Sequence, residues 1–185
     1  MILVCGDSFT AGEELLDRNT AWPNLLNTKV LNVAGAGYSN DAIVKRTVIS
    51  IEAHPITKPI THAIIAWTTP NRIEINNQHL TPHSHRKYGS ICDYVFLDWD
   101  EEWANLKFVT QVILLDSYLR DKNIPCVFVK TFDVPAIKFG TWIDGSMVEW
   151  MGDCSKGPGG HPLELGHVRI AEKINEHIRT LGWLS

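Results

Sequence analysis

A chain of 185 residues, 44% apolar and 21% charged, is the size of one domain and can bury a full core without metal or disulfide staples. The net charge of -4 excludes the basic footprint of a nucleic-acid binder and a polybasic membrane patch. No apolar run approaches the length of a membrane-spanning helix.

The apolar run Ile2-Leu3-Val4-Cys5 ends at Gly6, which predicts a buried strand in a parallel sheet. Ser8 then falls just past the carboxyl end of that strand, the edge where open α/β sheets bind ligands. Asp and Ser are also common turn residues, so a plain turn is the competing reading of this stretch. Residues 11–19 read as a loop or a short helical turn, and Thr20 to Leu26 as a helix start with Thr20 a possible cap. Val30 to Val33 is the second strand, followed by the flexible turn Gly35-Ala36-Gly37-Tyr38-Ser39. Ser39 or Asn40 caps a helix running to about His54, with Val44, Val48 and Ile51 as its stripe. Ile60 to Trp67 is the third strand.

Thr68 to Tyr94 is irregular in pattern. A long helix begins at Asp98 or Asp100 and ends near Asn123, with an expected apolar face of Trp103, Leu106, Val109, Ile113 and Leu114. Cys126 to Val129 is the fourth strand. Residues 132–160 form a second irregular region with a short helix around Ser146 to Met151. The last helix spans Pro162 to Leu181, with Val168, Ala171, Ile174 and Ile178 facing inward. Strands alternating with helices predict a three-layer α/β/α sandwich, with a parallel sheet of roughly four to five strands, over residues 1–185 as one domain.

Two partial motifs carry little weight. Gly6-Asp7-Ser8-Phe9-Thr10 lacks the last Gly of a nucleophile elbow, and Gly35 to Asn40 lacks the third Gly of a dinucleotide fingerprint. The richer stretch is Gly159-Gly160-His161-Pro162, a His in a Gly-rich loop ahead of the final helix. A serine hydroxyl is a weak nucleophile until a base takes its proton, and neutral His does so near pH 7. His167 is expected to serve the helix rather than catalysis.

As an ordered set, these residues resemble the SGNH (GDSL-type) hydrolases over nearly the whole chain. Gly6-Asp7-Ser8 is similar to that family's first block, Asn32 to Gly37 to its second, and Gly160-His161-Pro162 with Gly166-His167 to its fifth. The resemblance implies a flavodoxin-like fold, Ser8 as nucleophile, His161 as base, and an oxyanion hole from the N–H groups of Ser8 and Gly37. Two departures follow. The family's orienting Asp would stand three residues before His161, where this chain has Pro158. Asp153 is the nearest substitute in the chain. The third block, Gly-x-Asn-Asp, is replaced by Thr68-Thr69-Pro70-Asn71-Arg72, so that either Thr69 or Asn71 would supply the third oxyanion donor. The pattern running from Trp67 to Glu74 is similar to phage-encoded and polysaccharide-linked variants, and Arg72 and Glu74 are expected to pair.

The expected activity is therefore hydrolysis of acetyl or other short acyl esters, on a small molecule or a carbohydrate, with no cofactor and no metal. Acyl transfer to a sugar hydroxyl is a close variant. A non-catalytic carbohydrate-binding or virion structural protein that kept the fold is the alternative. No nucleic-acid or membrane partner is expected, and oligomeric state is open. The absence of a basic segment before the first apolar run predicts a cytoplasmic protein, virion-associated if phage-encoded. Cys5, Cys92, Cys126 and Cys154 lie far apart and are expected as reduced thiols, with Cys154 a candidate for an exposed, reactive one. His79, His83 and His85 read as a solvated loop rather than a metal site. Trp99, Trp103, Trp142 and Trp150 flank the irregular regions, either as core and lid residues or as sugar-stacking platforms.

Overall fold

A computed structural model describes residues 1–55, 57–75, 78–80 and 100–184. His83, His85, Cys92 and Trp99 lie outside the described residues. In chain order come β1 (Ile2–Cys5), α1 (Ser8–Ala11), β2 (Val30–Asn32), α2 (Asn40–Glu52), β3 (His62–Trp67), β4 (Ile73–Ile75), β5 (Gln78–Leu80), α3 (Glu101–Asp121), β6 (Cys126–Lys130), β7 (Trp142–Ser146), α4 (Met147–Met151) and α5 (Glu164–Thr180). Two short 3₁₀ turns, Arg18–Thr20 and Trp22–Leu25, stand where the sequence suggested a helix start. Pro23 falls in the second, where a missing N–H costs little. Asp17, not Thr20, caps the first, accepting the Asn19 N–H at 2.9 Å.

Five parallel strands form one sheet in the order β2-β1-β3-β6-β7, while β4 and β5 make a separate antiparallel hairpin. Strand alternation divides β1 between two cores. Ile2 and Val4 pack with Trp22, Ile170, Ile174 and Ile178 under α5. Leu3 and Cys5 pack with Ile43, Phe108, Val112 and Leu115 under α2 and α3. Helices on both faces of a parallel sheet are the predicted three-layer α/β/α sandwich. The chain leaves β1 for β2 on one side and returns to β3 on the other. The order reverses at β1, and a crevice opens at the carboxyl end of such a reversal. Ser8 stands there.

Three differences from the sequence reading have physical causes. Strand β7 lies inside the segment expected to be irregular. It is an edge strand with Asp144 and Gly145 in it and a shifted register against β6, so it carries little apolar pattern. Helix α3 buries Ala104, Phe108, Val112, Leu115 and Leu119, whereas Trp103, Leu106 and Leu114 are exposed. Apolar residues occupy more than one face of this helix, so periodicity alone does not set its rotation. Val168 of α5 is exposed, and Ile170 takes its place inside with His167.

Candidate active site

Local chemistry makes the turn after β1. Asp7 caps α1, and its Oδ1 accepts the Phe9 N–H at 3.2 Å. That bond fixes Ser8 as the first residue of a one-turn helix, 4% exposed. Gly6 is required by space: a Cβ there would sit 2.3 Å from Thr10 Oγ1 and 2.8 Å from Ala66 Cβ. Asp7 is fully buried. It also accepts from Thr131 Oγ1 at 3.4 Å and faces Arg72 Nη1 at 3.5 Å. Burial pushes its carboxyl above the usual range, and the Arg72 charge opposes that rise.

The neighbouring loops are tied to this turn. Gly35 N–H donates to Gly6 O at 3.2 Å, and Asn32 Nδ2 donates to Thr10 O at 3.1 Å. Gly37 follows in the left-handed region, with φ of 72°. Ser39 caps α2. Asn40, the residue that spoils the dinucleotide fingerprint, is buried and bridges to the next loop. Its Oδ1 accepts the Thr68 N–H at 3.0 Å, and its Nδ2 donates to Thr68 O at 3.1 Å. Thr69 Oγ1 donates to Asn71 Oδ1 at 2.8 Å, so both candidate oxyanion donors stand in one half-buried turn. Arg72 does not pair with Glu74 as expected. It reaches Asp7 and lies over the Phe132 ring, 5.6 Å from its centroid, while Glu74 pairs with Lys45. The Asp7 carboxylate is the nearer buried charge and draws the guanidinium inward.

His161 arrives from the other end of the chain. Its ring meets the Phe9 ring edge-on, with centroids 5.7 Å apart, and Phe9 in turn meets Phe132 at 5.1 Å. Ser8 and His161 thus belong to the same corner of the molecule. Asp153 does not orient the imidazole. Its side chain is 94% exposed and pairs with Arg169 at 3.1 Å. The partner is a residue that the sequence reading left unassigned, Glu14. Its Oε2 lies 2.7 Å from His161 Nδ1 and accepts the His161 N–H at 3.2 Å. Its Oε1 accepts the Gly159 N–H at 2.7 Å. These bonds, led by the Gly159 N–H, hold the Glu14 carboxyl below the usual range.

Glu14 has a left-handed backbone, φ of 67°, two residues after left-handed Gly12. The facing loop leaves room for its side chain. A Cβ at Gly157 would sit 2.6 Å from Glu14 Oε2 and 2.7 Å from its Cδ, and one at Gly159 would sit 3.0 Å from Oε2. The run of glycines before His161 was therefore the one sequence signal of a bulky partner, with nothing in it to say which residue.

The other candidates have structural places. His167 is fully buried, and its Nδ1 accepts the Trp22 N–H at 3.2 Å. Burial lowers its pKa to about 4. His79 packs against Tyr38 with the rings tilted by 54° and their centroids 5.0 Å apart. Cys5 and Cys154 are buried and free, and Cys126 is half-buried and free. Burial raises the Cys5 pKa to about 12, and Cys154 is not the exposed thiol that was considered. Trp103 lies near Lys107, 5.7 Å from ring centroid to Nζ, while Trp142 and Trp150 donate to the carbonyls of Phe139 and Asp144. Among the described residues, no group of His, Cys, Asp and Glu is arranged to hold a metal ion.

No protein-family model matches the chain, and no curated protein matches it. Solved structures do. A protein of the lipolytic G-D-S-L family from Desulfitobacterium hafniense aligns over 95% of this chain and 97% of its own, at 13% identity and a TM-score of 0.59. The psychrotrophic esterase EstA of a Pseudoalteromonas species aligns over 97% of both chains, at 14% identity and a TM-score of 0.60. A two-domain esterase active on acetylated mannans aligns over 97% of this chain and 48% of its own, at 12% identity and a TM-score of 0.53. With its parallel strand order, its serine turn at the reversal and its neighbours, this chain has the fold of the SGNH (GDSL-type) hydrolases.

Proposed function

We propose that the protein is a serine-dependent ester hydrolase in which Ser8 is the nucleophile and His161 the base. The observation that carries this reading is the placement of the imidazole. It stands against the Phe9 ring, next in the chain to Ser8, with Nδ1 engaged by a carboxylate. Nε2 is then the ring nitrogen left to accept a proton.

The reaction runs in two halves. Ser8 Oγ attacks the acyl carbon as its proton passes to His161 Nε2, and the carbonyl oxygen becomes an oxyanion. The tetrahedral species collapses, the alcohol leaves with the proton from Nε2, and the acyl group stays on Ser8. Water then attacks the acyl-enzyme, giving its proton to Nε2. Collapse releases the acid and returns that proton to Ser8 Oγ. The oxyanion is stabilised by the N–H groups of Ser8 and Gly37 and by the Asn71 carboxamide. Asn71 is preferred to Thr69 because the Thr69 hydroxyl already donates to Asn71 Oδ1, which leaves Asn71 Nδ2 as the donor. No step calls for a cofactor. A short acyl ester on a carbohydrate is the substrate class we favour, on the ground that one structural neighbour is active on acetylated mannans. A sugar hydroxyl in place of water would make the same site an acyltransferase.

The test is hydrolysis of p-nitrophenyl acetate with fluorophosphonate labelling. Wild type is expected to turn over and to be labelled at Ser8. Ser8→Ala and His161→Ala are each expected to lose about 10⁴-fold or more in kcat. Soluble, folded wild type that neither turns over nor labels would end the reading.

A further inference from the structure

We infer that Glu14 is the positioning residue for His161, supplying from the nucleophile's own loop the orienting carboxylate that the His loop lacks. The inference rests on the ester-hydrolase reading above and concerns how that site is held. Four observations carry it. The first is the bond itself, Glu14 Oε2 to His161 Nδ1 at 2.7 Å. It bridges positions 147 residues apart and joins side chains that are each 21% exposed. The second is that both carboxylate oxygens are fixed by backbone donors as well, Oε1 by Gly159 N–H and Oε2 by His161 N–H. A carboxylate held at three points cannot turn away from the ring. The third is the cost accepted to put it there. A non-glycine residue at φ of 67° is uncommon and strained, and such residues cluster at functional sites. The fourth is the shape of the facing loop, where glycines at 157 and 159 leave the space that Glu14 fills.

The chemistry follows from the tautomer. Nδ1 beside an ionised carboxylate carries the hydrogen, so neutral His161 presents a lone pair at Nε2. When Nε2 takes the serine proton, the imidazolium forms next to a negative charge, and the proton stays on the ring. The carboxylate remains ionised under neutral conditions because the Gly159 and His161 donors hold its pKa down. Pro158 stands where the family pattern would put this acid. With a carboxylate on Nδ1, the missing Asp is no longer a ground for the non-catalytic alternative.

A purely structural latch would make the same backbone bonds, so the test must read the ring. In wild-type protein, ¹H–¹⁵N correlation of the imidazoles is expected to show neutral His161 with Nδ1 protonated and Nε2 unprotonated. An Nε2–H or evenly mixed tautomer would overturn the assignment without any variant being made. Glu14→Gln keeps an oxygen for one backbone donor but places an uncharged amide on the ring. It is expected to shift His161 toward the Nε2–H form and to lower kcat by about 10²- to 10⁴-fold, with KM within about threefold. Folded Glu14→Gln protein with kcat within about threefold of wild type would also overturn the assignment. The two proposals fail separately. Unlabelled, inactive wild type counts against the hydrolase, whereas the tautomer tests Glu14 by itself.

Discussion

Asp7 places a carboxyl group where water does not reach. Its partners are the Phe9 N–H, the Thr131 hydroxyl and the Arg72 guanidinium, and together they fix the residue before Ser8. Removing one member of a buried pair strands the other, which costs more than the pair is worth intact. Asp7→Ala removes a helix cap and strands Arg72 at once. We expect a loss of about 3 kcal/mol in urea unfolding, and a loss below about 1 kcal/mol would show that the guanidinium finds water instead. His167 sets a second residue-scale effect, on pH. The unfolded chain protonates this ring below its ordinary 6.5, but the folded chain only below about 4. Its contribution is therefore complete above pH 6.5 and drains away as pH falls toward 4. The shift corresponds to about 3 kcal/mol. His167→Leu is expected to be less stable than wild type at pH 7, because the Trp22 N–H loses its acceptor. It should also show a shallower fall in stability between pH 6.5 and 4, read by denaturation at several pH values. An unchanged slope would contradict this account.

At the scale of elements, the loop between α4 and α5 is built around a side chain from another loop. Gly157 N–H donates to His161 O at 2.9 Å, which closes a tight turn. Gly157→Ala would press its Cβ against a Glu14 carboxylate that its hydrogen bonds pin in place. The loop must yield, and His161 moves with it. We expect kcat for p-nitrophenyl acetate to drop at least about tenfold with little change in thermal midpoint, since misplacement of an ångström costs on the order of 10²-fold. Full activity in Gly157→Ala would mean that the loop shifts without disturbing the ring.

At the scale of the whole molecule, the sheet was the most legible part. Ile2 to Cys5, His62 to Trp67 and Cys126 to Lys130 are nearly continuous apolar runs because both of their faces are covered. Edge strand β7 lacks that signature and escaped the reading. Helix positions were legible, but their rotations were not, since α3 displays Trp103, Leu106 and Leu114 on its outer side. Ser8 and His161 could be picked out because each sits in a turn of glycine and capping residues. Glu14 could not. It stands in a polar stretch, Gly12-Glu13-Glu14, where either acid looks equally solvated, and only the left-handed backbone at Glu14 separates them. Its partners, Gly159 and His161, come from the far loop, which no local pattern encodes.

The opening third of the chain and its final helix are sewn together away from the Ser8 turn as well. Asn175 of α5 donates to Leu25 O at 3.3 Å and accepts the Asn27 N–H at 3.1 Å, and His167 holds Trp22. Helix α5 therefore cannot loosen without stripping Trp22, Leu25 and Asn27 of their partners, so the two stretches are bound to open as one unit.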